Sequence, residues 1–204
     1  MSVFHPSKRG QSMSSKTKRQ QIRERNQRQK LISRLIWGGI GLVLLAGIGF
    51  FVWQGVRPAL GESIPIMRSS PHIGTDVNPG EYNSDPPTSG LHYAAAAPAG
   101  FYDENIYTYP KGYLVHSLEH GYVIFWYNCD LLDESACSEL KSQIRSVMDE
   151  LGGVKLIAYP WNSIDVPLVM TSWGHMRRFE AFDAEQAKAF YHTNLNKSPE
   201  PNVP

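Results

Sequence analysis

The residues best suited to chemistry lie in the segment LVHSLEHG, residues 114–121, which holds two histidines and a glutamate. If this segment forms a helical turn, His116 and His120 lie on one face with their Cβ atoms about 6 Å apart. Two imidazoles at that separation can bind one metal ion at roughly 2.0–2.1 Å each. In a strand the same residues would lie roughly 13 Å apart, too far for one ion. Gly121 favours the turn, because glycine can end a helix in a left-handed conformation before a strand begins.

Glu119 gives the same segment a second interpretation. The spacing His116-x-x-Glu119-His120 matches the inverted signature of zinc proteases, in which the glutamate is the general base. In a binding site Glu119 would instead be a fourth ligand, or a partner that orients an imidazole. An ordinary structural role is also open, with one histidine bonded to a loop carbonyl and Glu119 paired with a cation.

A third histidine, His92, follows the stretch SDPPTSGL, residues 84–91. The two consecutive prolines restrict the backbone on entry to this loop, so the loop would deliver His92 at a lower ordering cost than a flexible one. Metal sites gain from such preorganisation. We therefore predict that His92 completes a three-nitrogen site with His116 and His120. Glu119 is the fourth candidate, and the metals that suit this set are copper and zinc.

The secondary structure that must position these residues is predicted by the rest of the sequence. Its pattern indicates an α+β fold, a small mixed sheet with two main helices on one face. Apolar runs predict strands over residues 122–127, 154–159 and 166–173. A 3.6-residue apolar period predicts a helix over residues 135–151, and Asp183 is a suitable cap for a helix over 184–194. A long region rich in proline and glycine precedes the first strand and is expected to be irregular.

An apolar segment lies on the N-terminal side of this domain. Residues 35–53 read LIWGGIGLVLLAGIGFFVW, 19 residues without a charged side chain. As a helix this segment spans roughly 28 Å, close to the hydrocarbon thickness of a bilayer. Ten Lys and Arg residues precede it, all between Lys8 and Arg34, whereas only Arg57 and Arg68 follow closely. This asymmetry predicts a single-pass protein with a cytoplasmic N-terminus and an extracytoplasmic C-terminal domain.

Four parts of the chain follow from these patterns. They are a basic cytoplasmic segment over residues 1–34, a transmembrane helix over 35–53, a linker over 54–71 and an extracytoplasmic α+β domain over 72–204. Of the 20 Lys+Arg and 19 Asp+Glu residues, ten and one precede Gln54, which leaves 10 basic and 18 acidic residues, a formal charge of −8. Because phosphate repels such a domain, we predict no nucleic-acid partner. Membrane lipid is the predicted partner, through the N-terminal helix and its basic flank.

The two cysteines leave two alternatives. Cys129 and Cys137 lie eight residues apart, between the first predicted strand and its helix. In an oxidising compartment they can form a disulfide, provided that their Cα atoms come within about 7 Å. Otherwise they are inert thiols, since the Cys-x-x-Cys spacing of redox motifs is absent.

Two stretches resemble the signatures of a bacterial family, domain of unknown function 3105. They are SDPPTSGLHY at residues 84–93 and VHSLEHGYV at residues 115–123. Two shorter stretches, TSWG at 171–174 and SPE at 198–200, resemble its weaker C-terminal marks. The resemblance covers roughly residues 72–200 and implies a membrane-anchored or secreted protein. It also points to four polar residues inside the signatures, namely His92, His116, Glu119 and His120.

The sequence thus predicts a membrane-anchored extracytoplasmic domain with a histidine-rich site for copper or zinc. One alternative is a metal-dependent hydrolase, in which Glu119 acts as base on a metal-bound water. The other is a non-catalytic module whose tyrosines bind a partner in the cell envelope. The first two functions need a metal ion and the third does not.

Overall fold

The computed structural model describes residues 11–55, 60–103 and 110–203. The chain divides into two compact units, residues 1–57 and residues 58–204. Within its described residues the first unit is a single helix, α1 (Gln11–Gly55), 45 residues long. The second unit contains a sheet and three further α-helices among its described residues.

Helix α1 contains the whole of the predicted apolar segment and continues on its N-terminal side to Gln11. Within it, Arg23–Gly49 is long and apolar enough to cross a membrane, with a mean hydropathy of 2.0 over its best window. Large apolar side chains are exposed all round this stretch, and water is a poor environment for them. They include Leu35, Trp37, Leu42, Val43 and Leu45.

The second unit is built on six strands. In chain order they are β1 (Glu62–Ser63), β2 (Gly100–Phe101), β3 (Val123–Tyr127), β4 (Leu156–Pro160), β5 (Leu168–Ser172) and β6 (His175–Phe179). Their spatial order is β1-β6-β5-β3-β4-β2. Strand β3 pairs parallel with β4 and antiparallel with β5. The mixed sheet and its helices confirm the predicted α+β class, and β3, β4 and β5 match the three predicted strands.

Strand β3 separates two apolar layers, because its alternate side chains point to opposite faces of the sheet. One layer contains residues of β3 together with α3 (Glu134–Glu150) and α4 (Ala184–Asn194). These are the two helices predicted for one face. The other layer contains the remaining β3 residues and α2 (Lys111–Glu119). Helix α2 therefore covers the opposite face, where the sequence predicted only a turn.

The two predicted helices begin at aspartate caps. The side chain of Asp133 accepts a hydrogen bond from the backbone N–H of Ala136 at 2.8 Å, and Asp183 accepts one from Gln186 at 2.9 Å. These bonds lower the pKa of both carboxyl groups. Cys129, just before α3, and Cys137, near the start of α3, form a disulfide with their Cα atoms 5.3 Å apart. The structure therefore selects the disulfide over the pair of inert thiols.

The segment between β1 and β2 is irregular, as its proline and glycine content predicts. Its described residues form one isolated bridge, Ile73 to Tyr93. Side chains hold the rest together: the Tyr82 hydroxyl donates to the Leu91 carbonyl at 2.8 Å. Strand β1 lies within residues 54–71, the range predicted as linker, and it pairs with β6. The sheet therefore begins earlier in the chain than the first predicted strand.

Candidate metal centre

Helix α2 positions two of the predicted residues in its last turn. It starts directly after Pro110 and ends at Glu119, with His120 as its C-cap. The backbone of Gly121 has φ +85°, a left-handed value that suits glycine and turns the chain towards β3. Both faces of α2 near the site are buried, since it lies between the sheet and the irregular segment. His116 and His120 therefore lie one helical turn apart at the end of α2, as predicted.

His92 reaches the same place from the proline loop and is fully buried. Its Nδ1 lies 2.8 Å from the Gly90 carbonyl, which can only accept, so Nδ1 carries the proton. Its Nε2 lies 2.8 Å from Oε2 of Glu119. The orientation of this contact is not that of a hydrogen bond, and Nε2 has no hydrogen-bond partner among the residues that the structure describes. The lone pair of a buried imidazole is thus left available to another group.

His116 shows the same arrangement. Its Nδ1 lies 2.5 Å from the Tyr93 carbonyl and therefore donates to it, which leaves Nε2 to accept or to bind an ion. Burial lowers the pKa of His116, the hydrogen bond to Tyr93 partly opposes this, and the nearby histidines lower the pKa further. A lowered pKa favours the neutral ring, the state in which imidazole binds a metal.

His72, which was not predicted from the sequence, lies beside His92 and His116. Its ring centroid lies 4.9 Å from that of His92 and 4.8 Å from that of His116. Its Nε2 lies 3.6 Å from Oε2 of Glu119, and its side chain is 41% exposed. The adjacent Ile73 holds it there, because the Ile73 N–H donates to the His92 carbonyl at 3.0 Å.

Four residues thus converge on one point. His72, His92, His116 and Glu119 each offer one ligand atom, and these atoms lie within 4.8 Å of one another. No other group of this kind occurs in the part of the chain that the structure describes. A tetrahedral ion with bonds of about 2.1 Å needs ligand atoms roughly 3.4 Å apart, so a modest contraction would close the set. This group could hold a metal ion.

His120, the remaining predicted ligand, lies next to the group and outside it. Its Nε2 is 2.8 Å from Nε2 of His116, and the two rings are nearly perpendicular. The same Nε2 lies 3.6 Å from Oε2 of Glu200. Of the four residues predicted from the sequence, the structure therefore brings His92, His116 and Glu119 into one set. It places His120 against His116 and adds His72.

The comparisons with known proteins agree with the signature stretches. Residues 75–204 match the model of a family described as protein of unknown function (DUF3105). Neither the curated proteins nor the solved structures gave a match. The matched range contains His92, His116, Glu119 and His120 and starts shortly after His72. Because it spans more than half of the chain, this protein belongs to the DUF3105 family.

Proposed function

We propose that the second unit is an extracytoplasmic metal-binding domain, anchored by α1, with His72, His92, His116 and Glu119 as ligands. The observation that carries the proposal is the closeness of their four ligand atoms. Both buried imidazoles support it, since each commits its Nδ1 to a backbone carbonyl. A carbonyl partner of this kind fixes the tautomer of a ligating histidine and orients its ring.

The charge of Glu119 supports a bound cation. Its side chain is only 7% exposed, and the basic groups nearest to its Oε2 among the described residues are Nε2 of His92 at 2.8 Å and Nε2 of His72 at 3.6 Å. A buried carboxylate is costly unless a positive charge compensates it. A divalent ion between Glu119 and the imidazoles would supply that charge without requiring a protonated histidine.

The donor set favours zinc or cupric ion. Three imidazoles and one carboxylate suit Zn²⁺ and Cu²⁺, whereas Cu⁺ prefers thiolate and thioether sulfur. Both cysteines are in the disulfide, and Met170 and Met176 are buried in the two apolar layers. Four protein ligands also fill a tetrahedral ion, which is typical of zinc sites that bind without catalysing. We therefore favour binding over the hydrolase alternative.

The test is the metal content of the full-length chain, purified in detergent without chelator or affinity-tag metal. We expect about one Zn or Cu ion per chain, and His92→Gln and Glu119→Gln should each lose most of it because each removes a ligand. After the bound metal has been removed, added Zn²⁺ should stabilise the wild type by about 2.7 kcal/mol at a hundred times Kd. His192→Gln changes an exposed histidine on α4 and is the matched control.

Two results would contradict this proposal. The first is a wild-type chain that carries no metal and whose unfolding ignores added zinc and copper. The second is equal metal content in the wild type, His92→Gln and Glu119→Gln, which would place the ion elsewhere.

A further inference from the structure

A second set of ligand atoms adjoins the four-residue group. Nε2 of His120 lies 2.8 Å from Nε2 of His116 and 3.6 Å from Oε2 of Glu200. The exposed fraction of the side chains falls from Glu200 through His120 to the four-residue group. It is 48% for Glu200 and 10% for His120, against 7% for Glu119 and none for His92. These residues therefore lead from the protein surface to the buried ligands.

Glu200 is held in place by its own backbone and by its neighbours. Its N–H donates to the Glu119 carbonyl at 3.1 Å. The Lys155 ammonium donates to the carbonyls of His120 and Pro201, at 2.8 Å each. These bonds fix the segment around Glu200 against the end of α2. The carboxylate of Glu200 is therefore held close to His120.

His116 has a single lone pair to offer, since its Nδ1 donates to Tyr93. The 2.8 Å contact with His120 therefore has His120 as the donor when no ion is present. An ion that binds Nε2 of His116 must break this hydrogen bond and will find Nε2 of His120 beside it. His116 is thus common to two ligand sets, an outer one with His120 and Glu200 and the inner four-residue group.

We propose that His120 and Glu200 form an outer metal position, through which the ion reaches the inner group by ligand exchange with His116 as the shared ligand. This inference rests on the proposed function. The ion exchanges water for Glu200 oxygen and for the nitrogens of His120 and His116. Glu119 and His92 then replace Glu200 and His120, His72 replaces a remaining water, and the bond to His116 persists. When Nε2 of His120 binds the ion, its proton moves to Nδ1 of the same ring by exchange with water, and it returns to Nε2 on transfer. The oxidation state of the ion does not change.

The test is the kinetics of Zn²⁺ binding to the full chain, followed by stopped flow with a fluorescent chelator. A route residue affects entry and exit alike. His120→Gln and Glu200→Gln should therefore lower the association and dissociation rates by the same factor, about tenfold for the loss of an attracting carboxylate. Kd and stoichiometry should stay at wild-type values, whereas His92→Gln should raise Kd. His192→Gln and Glu180→Gln change exposed residues and are the controls.

Three results would overturn the inference while leaving the proposed function intact. They are wild-type rates in both outer variants, a raised Kd with an unchanged association rate, and slowing in His72→Gln alone. The last would place the entrance at His72. A wild type that binds no Zn²⁺ would overturn the proposed function as well. Unfolding without Zn²⁺ should be the same in the outer variants and the wild type, which separates slow entry from a damaged fold.

Discussion

Two backbone carbonyls, those of Gly90 and Tyr93, decide which nitrogen each buried imidazole presents. Each accepts the Nδ1 proton of its histidine, so both rings offer Nε2. Gly90 has φ +131°, and a Cβ there would lie 2.7 Å from the Tyr82 ring. Its lack of a side chain thus allows the loop to bring that carbonyl close to His92. The nitrogen that each candidate ligand presents is thus set by backbone carbonyls that would not bind the ion themselves.

At the scale of single residues, His116 should make the stability of the metal-free protein depend on pH. Its pKa is lowered from 6.5 in the folded chain, so the unfolded chain binds more protons as the pH falls. The stability that neutral His116 contributes is therefore fully present above 6.5, its pKa in the unfolded chain. This stability is lost as the pH falls from 6.5 through the lower pKa that His116 has in the folded chain. Urea unfolding between about pH 7.5 and about pH 5 should show a smaller loss in His116→Gln than in the wild type.

The control for this experiment is His192→Gln, which should lose stability as the wild type does. Equal pH dependence in His116→Gln and the wild type would mean that another group is responsible.

The sequence revealed three of the four converging residues but missed His72, for a physical reason. His92, His116 and Glu119 carry local signals: a proline-restricted loop, a helical spacing and a terminal glycine. His72 sits in irregular backbone and is placed by the bridge from Ile73 to Tyr93. That bridge joins residues 20 apart in the sequence, and neither an apolar period nor a turn residue predicts it. The role of His120 stays a prediction.

At the scale of elements, the junction of α2 and β3 sets the position of the whole ligand set. Gly121 turns the chain with φ +85°, and a Cβ on it would lie 2.6 Å from Cα of Asn196. The Asn196 N–H also donates to the Gly121 carbonyl at 3.0 Å. The segment after α4 is thus packed directly on the glycine, and the same segment carries Glu200.

Replacing this glycine should destabilise the fold more than replacing another left-handed glycine. Gly152 has φ +72° with open space where a Cβ would go, so Gly152→Ala should cost about 1–2 kcal/mol for the left-handed backbone alone. Gly121→Ala adds a clash with backbone and should cost about 1–3 kcal/mol more, as in overpacked cores. Denaturant unfolding of both variants measures the difference, and equal losses would show that the close approach is unimportant.

The elements that the sequence missed, or predicted too short, are those without a clean period. Helix α2 is buried on nearly every side, so its sequence KGYLVHSLE has no polar face to mark it as helical. Strand β6 reads HMRRF, and its two adjacent arginines break the alternation expected of a strand. By contrast α3 has an exposed face and a capping aspartate, and its prediction was accurate to one residue at each end.

At the scale of the whole molecule, charge and redox state support one orientation in the membrane. All ten basic residues before Gln54 lie on one side of the apolar segment, and the remainder has a formal charge of −8. The disulfide between Cys129 and Cys137 fits an oxidising compartment, since cytosolic thiols are usually kept reduced. From these two observations we predict a cytoplasmic N-terminus and an extracytoplasmic second unit.

A membrane-impermeant maleimide applied to spheroplasts tests this orientation. After mild reduction it should modify Cys129 and Cys137 in the wild type, because both would face the outside. In a Cys129→Ser/Cys137→Ser background, Ser15→Cys should react only after the membrane is permeabilised. The reverse pattern would place the second unit in the cytoplasm and remove the redox argument.

A bound ion would also restrict the irregular segment between β1 and β2. His72, His92 and His116 are separated by 20 and 24 residues of chain, and most of the described residues between them lack ladder hydrogen bonds. An ion that joins them closes two long loops at once and restricts the conformational freedom of the chain between them. Metal release would then loosen this face of the domain while the disulfide-bonded side keeps its order. Cleavage by a protease within residues 73–91 would report on metal occupancy.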